Sequence, residues 1–334
     1  MTKKVVISGY YGFGNFGDEL ILSVLVQHLK SMGIETVVLS SNPRKTSMEH
    51  FVNSINTFSF NQVSGLLKQS DILVSGGGSL LQDVTSVKSL LYYLWVIFTA
   101  LRHRKDVIIF AQGIGPINNK FAALITKFLL KRCRYISVRD EKSQQLLENW
   151  GIKANLLCDP AYSLNIQPTH NTGIVGVQLR DFSTMNDTLL KKLARQIVKD
   201  FSDKKIRIFA LQKNIDNAIC KRFENMLKNI NPDIKTEFID EDIAYKLIEV
   251  EYLIAMRFHA LIVALKAGIR CTGINYDIKV ENLAKSANIP LISMNAIEDL
   301  DKIFSSLRAL NPDNLREYAN SQKFDWSGID EVLN

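Results

Sequence analysis

Short runs of Val, Ile and Leu alternate with longer amphipathic stretches along the 334 residues, and the alternation begins twice. In the first half the apolar runs predict strands at Val5–Gly9, Thr36–Ser40, Asp71–Ser75, Val107–Ala111, Tyr135–Val138 and Ala154–Cys158. Between them a 3.6-residue period predicts helices at Glu19–Met32, Val63–Lys68, Leu90–Leu101, Phe121–Lys131 and Glu141–Trp150. Asn165 to Thr172 is polar, contains Pro168 and reads as a linker. The pattern then resumes, with strands at Ile174–Leu179, Ile206–Leu211, Lys235–Phe238, Tyr252–Met256 and Arg270–Ile274. Helices are expected at Thr188–Asp200, Asn217–Lys228, Ile243–Glu249 and from Ala260 to a stop at Gly268. Short apolar strands separated by helices imply parallel sheets with helices on both faces. The expected architecture is α/β: two doubly wound, Rossmann-like domains, 1–166 and 173–310, facing a cleft. A helical tail, 311–334, with Tyr318, Phe324 and Trp326, is expected to pack back on the first domain.

Composition narrows this picture. The chain is too long for one ordinary core, and 46% hydrophobic with 22% charged residues is a globular balance. Its four cysteines (Cys133, Cys158, Cys220, Cys271) and five histidines form no Cys-x-x-Cys pair or His/Cys cluster, so neither a metal site nor a disulfide framework is expected. The start reads as a first strand rather than a signal peptide, and Leu90–Leu101 is too short to span a bilayer. A reduced, cytoplasmic protein is expected.

Charge changes the picture further. The net +7 lies entirely in the first half: 18 Lys+Arg against 11 Asp+Glu through Gln167, then 23 against 23. Much of it sits in Arg102-His103-Arg104-Lys105 and in the basic amphipathic stretch Asn118–Cys133, near the aromatic run Tyr92-Tyr93-Leu94-Trp95. Such a face suits an anionic membrane surface, and equally a sheet-covering helix with solvated lysines. No nucleic-acid-binding module accompanies the charge, so nucleic acid is not an expected partner.

Candidate chemistry sits at the strand ends. Met256-Arg257-Phe258-His259 places a cation and an imidazole between an apolar strand and a helix N-terminus, where free N–H groups and the helix dipole favour an anion. Gly9-Tyr-Tyr-Gly12-Phe-Gly14-Asn15-Phe-Gly-Asp18-Glu19 follows the first strand. Its glycines permit close backbone approach, but its aromatics, amide and acid suit a sugar better than a pyrophosphate; Asp18 could equally be a helix cap. Ser75-Gly76-Gly77-Gly78-Ser79 could turn N–H groups on an anion or could simply be a tight turn. Gln112-Gly113-Ile114-Gly115-Pro116 clears space at a strand tip. Arg139, in Val138-Arg-Asp140, fits both a structural ion pair and an anion clamp.

In this order the segments resemble the polysaccharide pyruvyl transferase family, in particular its bacterial cell-surface-anchoring branch. The resemblance runs through Gly9–Leu22, Val74–Ser89, Gln112–Pro116, Ile136–Gln144, Cys158–Tyr162, Met256–Val263 and Ile274–Val280. It implies a GT-B-like fold, as in two-domain glycosyltransferases, and transfer of a pyruvyl group from phosphoenolpyruvate to a sugar as a cyclic ketal. By position, Arg257 and His259 match the family's Arg-x-His element, Lys279 its Tyr-Asp-x-Lys lysine and Arg139 its Val-Arg-Asp arginine. His259 and Arg257 are therefore the expected catalytic residues, and Arg139, Lys279 and Arg257 the expected donor ligands. Gly12, Gly14, Asn15, Asp18, Gly76, Gly77, Gly78 and Gln112 are the expected acceptor contacts. Phe258 replaces the usual Leu, Ala255 the usual Gly, and Arg180-Asp181-Phe182 the usual Arg-Pro-Trp, changes that bear on the acceptor.

The implied chemistry uses phosphoenolpyruvate as co-substrate and calls for no cofactor or metal. The implied acceptor is a saccharide, and the basic, aromatic-edged first half suits one that is lipid-linked and met at the inner membrane face; the acceptor sugar and oligomeric state stay open. Two other readings fit the same fold: a GT-B-type nucleotide-sugar glycosyltransferase, and a non-catalytic binding protein.

Overall fold

The structure, a computed structural model, describes residues 3–167, 172–182, 185–294 and 299–334. Residues 168–171 of the expected linker lie outside the described residues. Two compact units account for the chain: Met1–Ser163 with Lys323–Asn334, and Leu164–Gln322.

In the first unit the chain runs β1 (Lys4–Ser8), α1 (Phe16–Ser31), β2 (Glu35–Ser40), α2 (Pro43–His50), β3 (Asn53–Asn56), α3 (Phe60–Gln69) and β4 (Ile72–Gly76). It continues with α4 (Val87–Arg102), β5 (Asp106–Gln112), α5 (Lys120–Leu130), β6 (Tyr135–Val138), α6 (Glu141–Asn149) and β7 (Asn155–Leu156). The seven strands pair in parallel in the order β3-β2-β1-β4-β5-β6-β7, so strand order reverses between β1 and β4. Alternation along each strand divides the core. Val6, Leu73, Val107 and Ile109 face α3, α4 and α5, while Val5, Ile7, Val74, Ile108 and Phe110 face α1. Buried side chains of this size contribute about 1.5–3 kcal/mol each.

The second unit runs β8 (Ile174–Gln178), α7 (Asp187–Phe201), β9 (Lys205–Phe209), α8 (Lys213–Ile230), β10 (Thr236–Ile239), α9 (Ile243–Ile248) and β11 (Tyr252–Ala255). It continues with α10 (Phe258–Ala267), β12 (Arg270–Asn275), α11 (Ile278–Ser286), β13 (Leu291–Ser293), α12 (Leu300–Ala309) and α13 (Pro312–Ser321). Its parallel sheet has the order β10-β9-β8-β11-β12-β13, with the reversal between β8 and β11. Gly268 stops α10 in the left-handed conformation, φ 72°, that a residue without Cβ adopts freely.

The stretch after Asn311 divides. Helix α13 packs against α10 in the second unit, whereas Lys323–Asn334, with α14 (Ser327–Leu333), belongs to the first. Phe324, Ile329 and Leu333 join the core beside Ile7 and Phe110. His28 stacks on Trp326 with ring centroids 3.7 Å apart, and its Nε2 lies 2.7 Å from Asp330 Oδ1.

Some elements depart from the pattern. α1 starts at Phe16, not Glu19, because Asn15 caps it by accepting the Gly17 N–H at 3.2 Å. α2, β3, α11, α12 and β13 are additions to the expected elements: α2, β3 and β13 carry no strong apolar period, whereas α11 buries Val280, Leu283 and Ala284 and α12 buries Leu300, Phe304 and Leu307 at helical spacing. β3 (Asn-Ser-Ile-Asn) and β13 (three residues) are edge strands, where one face of alternating apolar positions is not required.

Candidate functional site

The reversal between β8 and β11 opens the C-terminal strand ends of the second unit, and Gln178 joins the two sides. Its side chain is fully buried, and its Oε1 accepts the Met256 N–H at 3.1 Å and the Arg257 N–H at 2.7 Å. Its amide nitrogen donates to the Leu179 carbonyl at 2.8 Å. This fixes Arg257 as the N-cap residue of α10, with His259 in that helix's first turn. The first N–H groups of a helix have no intrahelical acceptor, so the position favours an anion. Helix α10 is otherwise apolar, from Ala260 to Leu265, and is anchored in the core.

Arg257 is held as well as placed. Its Nη2 donates to Asp216 Oδ1 at 2.9 Å, to Asp216 Oδ2 at 3.1 Å and to Gln212 Oε1 at 3.0 Å. Asp216 is fully buried on the first turn of α8, and its Oδ2 also accepts the Gln212 N–H at 2.9 Å. Burial raises the Asp216 carboxyl above its ordinary range, against the opposing pull of Arg257, the Gln212 N–H and Arg180. A second cation therefore borders the pair. Arg180, at the end of β8, donates its N–H to Met256 Sδ at 3.1 Å, and its guanidinium lies 5.7 Å from the Tyr276 ring. Phe182 meets the same ring edge-on at 5.5 Å. Lys279 sits in the first turn of α11, where Asp277 caps its N–H at 2.9 Å.

The structure thus brings Arg257 and His259 to one helix start, and Lys279 to the helix that follows the neighbouring strand β12. Gln178, Gln212, Asp216 and Arg180 complete the setting; in the sequence Gln178, Arg180 and Gln212 stand out as polar residues at strand ends, whereas Asp216 does not. Only the Gln212/Asp216 spacing of four at the start of a helix hints at their pairing.

The remaining expected residues lie in the first unit. Gly12 and Gly14 adopt φ of 79° and 72°, and Glu19 closes their loop by accepting the Gly12 N–H at 2.7 Å. Asn15 spends its side-chain oxygen on the α1 cap, while Asp18, the alternative cap, lies inside the helix. The three glycines at the end of β4 answer to packing: a Cβ would meet Tyr11 at Gly76, Ile21 at Gly77 and the Asp18 carboxylate at Gly78. Gln112 is fully buried and donates to the Ser75 carbonyl at 2.8 Å and the Ser75 hydroxyl at 2.9 Å, fastening β5 to the start of that turn. Arg139 pairs with Asp159 at 2.9 Å, the side chains 10% and 3% exposed, and reaches Ser79 Oγ at 3.4 Å. Its structural ion pair is therefore formed.

Packing around the triple glycine predicts a contrast. Gly78→Ala adds a Cβ against Asp18 at φ 71°, whereas Gly14→Ala at φ 72° meets nothing within 4 Å. Both should lose the roughly 1–2 kcal/mol of a left-handed L-residue, and Gly78→Ala clearly more. Urea unfolding of the two variants checks this; equal losses would mean that Asp18 does not crowd the turn.

Other chemistry is poorly supplied. Burial pushes the Cys133, Cys220 and Cys271 thiols up to about 12, far from a reactive thiolate. Among the described residues Glu19, Glu49 and His50 place ligand atoms within 4.8 Å of one another, but Glu19 and His50 already bond each other at 3.2 Å.

The fold recurs in solved structures. Anabaena HepE in complex with UDP-glucose superposes with a TM-score of 0.63 at 12% identity, covering 99% of this chain and 98% of that one. The Staphylococcus aureus MnaA–UDP structure gives 0.65 at 10%, covering 100% and 95%. UDP-GlcNAc 2-epimerase from Neisseria meningitidis bound to UDP-GlcNAc gives 0.62 at 9%, covering 100% and 99%. At such identities the likeness establishes the fold: two parallel α/β sheets of the GT-B glycosyltransferase and epimerase type. No curated protein matches in sequence. A family model described as polysaccharide pyruvyl transferase matches residues 15–278.

Proposed function

The chain belongs to the polysaccharide pyruvyl transferase family, and on that premise we propose that it moves a pyruvyl group from phosphoenolpyruvate to a saccharide, closing a cyclic ketal. The observation that carries this reading is the Arg257-Phe258-His259 element at the start of α10, beside the strand-order reversal. Phosphoenolpyruvate is a small molecule with two anionic groups. The helix N-terminus, Arg257 and Lys279 offer it fixed N–H groups and cations, and Asp216 holds the Arg257 guanidinium in one orientation.

In the proposed reaction the vinyl carbon of the donor gains a proton and becomes a methyl, and one sugar hydroxyl bonds to the adjacent carbon. The C–O bond to phosphate then breaks, and a second hydroxyl takes its place. One hydroxyl proton ends on the methyl and the other on the released phosphate, so the reaction balances without oxidant or metal. His259 is the assigned acid/base for these transfers, since an imidazole's ordinary pKa lies near neutrality. Asp18 is the assigned acceptor-side residue, and the acceptor is a lipid-linked saccharide of the cell surface, met in the cytoplasm at the inner membrane face.

The UDP and UDP-sugar ligands of the structural neighbours favour one second reading, a nucleotide-sugar glycosyltransferase. Titration calorimetry with phosphoenolpyruvate and, separately, with UDP-sugars distinguishes the two. Phosphoenolpyruvate binding that weakens in Arg257→Lys is expected, because a point ammonium cannot hold the fork geometry of a guanidinium. UDP-sugar binding without phosphoenolpyruvate binding would replace the proposal with the second reading.

A further inference from the structure

Helices α4 and α5 lie side by side on one face of the first unit's sheet, and both are apolar on two sides. Their inner sides bury Leu90, Leu94, Ile97, Ala122 and Leu129 in the core. A soluble helix would then turn polar residues outward. Instead Val87, Leu91 and Phe98, spaced to share one face of α4, are 41%, 46% and 47% exposed. On α5, Phe121, Leu124 and Phe128 repeat at i, i+3 and i+7 and are 70%, 63% and 52% exposed. Scattered exposed apolar residues are ordinary, but two adjacent helices each carrying an outward apolar stripe are not.

Charge identifies the occupant. From Val84 to Arg134 there are nine Lys or Arg and one acid, Asp106. Neither α4 nor α5 contains an Asp or Glu. Lys120, Lys131 and Arg132 are exposed beside the α5 stripe, and the Arg132 guanidinium lies 3.5 Å from the centre of the Phe128 ring. Long cationic side chains flanking apolar rings can keep their charges at a headgroup level while the rings enter the acyl boundary. On the neighbouring side, exposed Phe60 of α3 meets Trp95 of α4 at 4.9 Å, extending the face with an aromatic edge. No helix among the described residues is long and apolar enough to cross a membrane.

We propose that the outward face of α4 and α5 rests on an anionic lipid surface, with Leu91, Phe98, Phe121, Leu124 and Phe128 inserted and the surrounding cations on the headgroups. The inference deepens the reading of a lipid-linked acceptor and rests on it for its purpose.

Flotation of the full chain with vesicles tests it, without phosphoenolpyruvate or saccharide present, so its outcome is separate from that of the pyruvyl-transfer reading. Vesicles containing phosphatidylglycerol should carry the protein up the gradient, and pure phosphatidylcholine vesicles should not. Binding should weaken in 1 M salt, where the screening length is about 3 Å. Phe121→Ser with Phe128→Ser should lower partitioning by about tenfold or more. Lys120→Gln with Lys131→Gln should lower it by about twenty-five-fold, at roughly fivefold per cation. The lysine pair decides the question should the phenylalanine pair fail to fold. The proposal is overturned by no flotation on anionic vesicles, by equal flotation on neutral ones, or by indifference to the lysine pair. It is overturned as well if sedimentation finds a dimer that Phe121→Ser/Phe128→Ser dissociates, since a second copy would then cover the face.

Discussion

Arg257→Met should lower the stability of the protein by about 3–5 kcal/mol at neutral pH, with a smaller deficit in acid. The loss arises at Asp216 rather than at Arg257. Asp216 is fully buried, and Arg257 Nη2 contacts both of its carboxylate oxygens, at 2.9 and 3.1 Å. Removing the guanidinium leaves a buried carboxylate whose remaining hydrogen-bond donor among the described residues is the Gln212 N–H, at 2.9 Å. The pH dependence follows from protonation. Burial already raises the Asp216 carboxyl above its ordinary 3.8, and Arg257 is the largest influence lowering it. A group raised in the folded state binds protons there more readily than in the unfolded chain. Its contribution to stability is therefore complete below the unfolded value and is lost as pH rises through the folded one. Without Arg257 the folded value moves higher, so the variant suffers most near neutrality and approaches the parent protein as both become protonated. Urea unfolding at neutral pH and at about pH 4 measures the two deficits. Arg257→Met/Asp216→Leu should recover most of the loss, because an apolar pair tolerates burial where a lone charge does not. A single variant as stable as the parent at neutral pH would mean that the ion pair is not formed.

That pair also marks how far the sequence could be read. The strand-helix alternation and its restart near Ile174 are visible because parallel strands buried on both faces must be apolar throughout. The Arg257/His259 position is visible because two polar residues interrupt an apolar frame where a strand gives way to a helix. What holds Arg257 is not visible. Gln178 and Asp216 lie 79 and 41 residues away and meet it only because β8, β9 and β11 lie in one sheet. Gln112 is a parallel case. A register shift in β5, with Ala111 at φ 44°, accompanies the turn of its amide into the core toward Ser75. A residue that reads as lining a strand tip is thereby a fastening inside it. The triple glycine was legible as a special turn, but the reason for it, contact with Tyr11, Ile21 and Asp18, required the packed structure.

His259→Ala should leave the fold nearly intact and reduce pyruvyl transfer by about 10²–10⁴-fold, the usual worth of a positioned acid/base. The fold should survive because α10 is fastened by its apolar run, Ala260 to Leu265, and by the Gln178 contacts to Met256 and Arg257, none of which uses the imidazole. Donor binding should survive as well, because the anion is assigned to Arg257, Lys279 and the helix N–H groups. The expected signature is therefore a fall in kcat with phosphoenolpyruvate affinity little changed, read by mass spectrometry of the ketal product alongside calorimetry. Arg257→Lys should show the opposite balance, with donor affinity reduced first. These two variants separate catalysis from anchoring at positions two residues apart on one helix start. If His259→Ala retained full kcat, the proton transfers would belong to another group or to the substrate's own phosphate, and the imidazole would be a packing residue. If it lost donor binding and kcat together, His259 would be a donor ligand, and the division of labour between it and Arg257 would have to be redrawn.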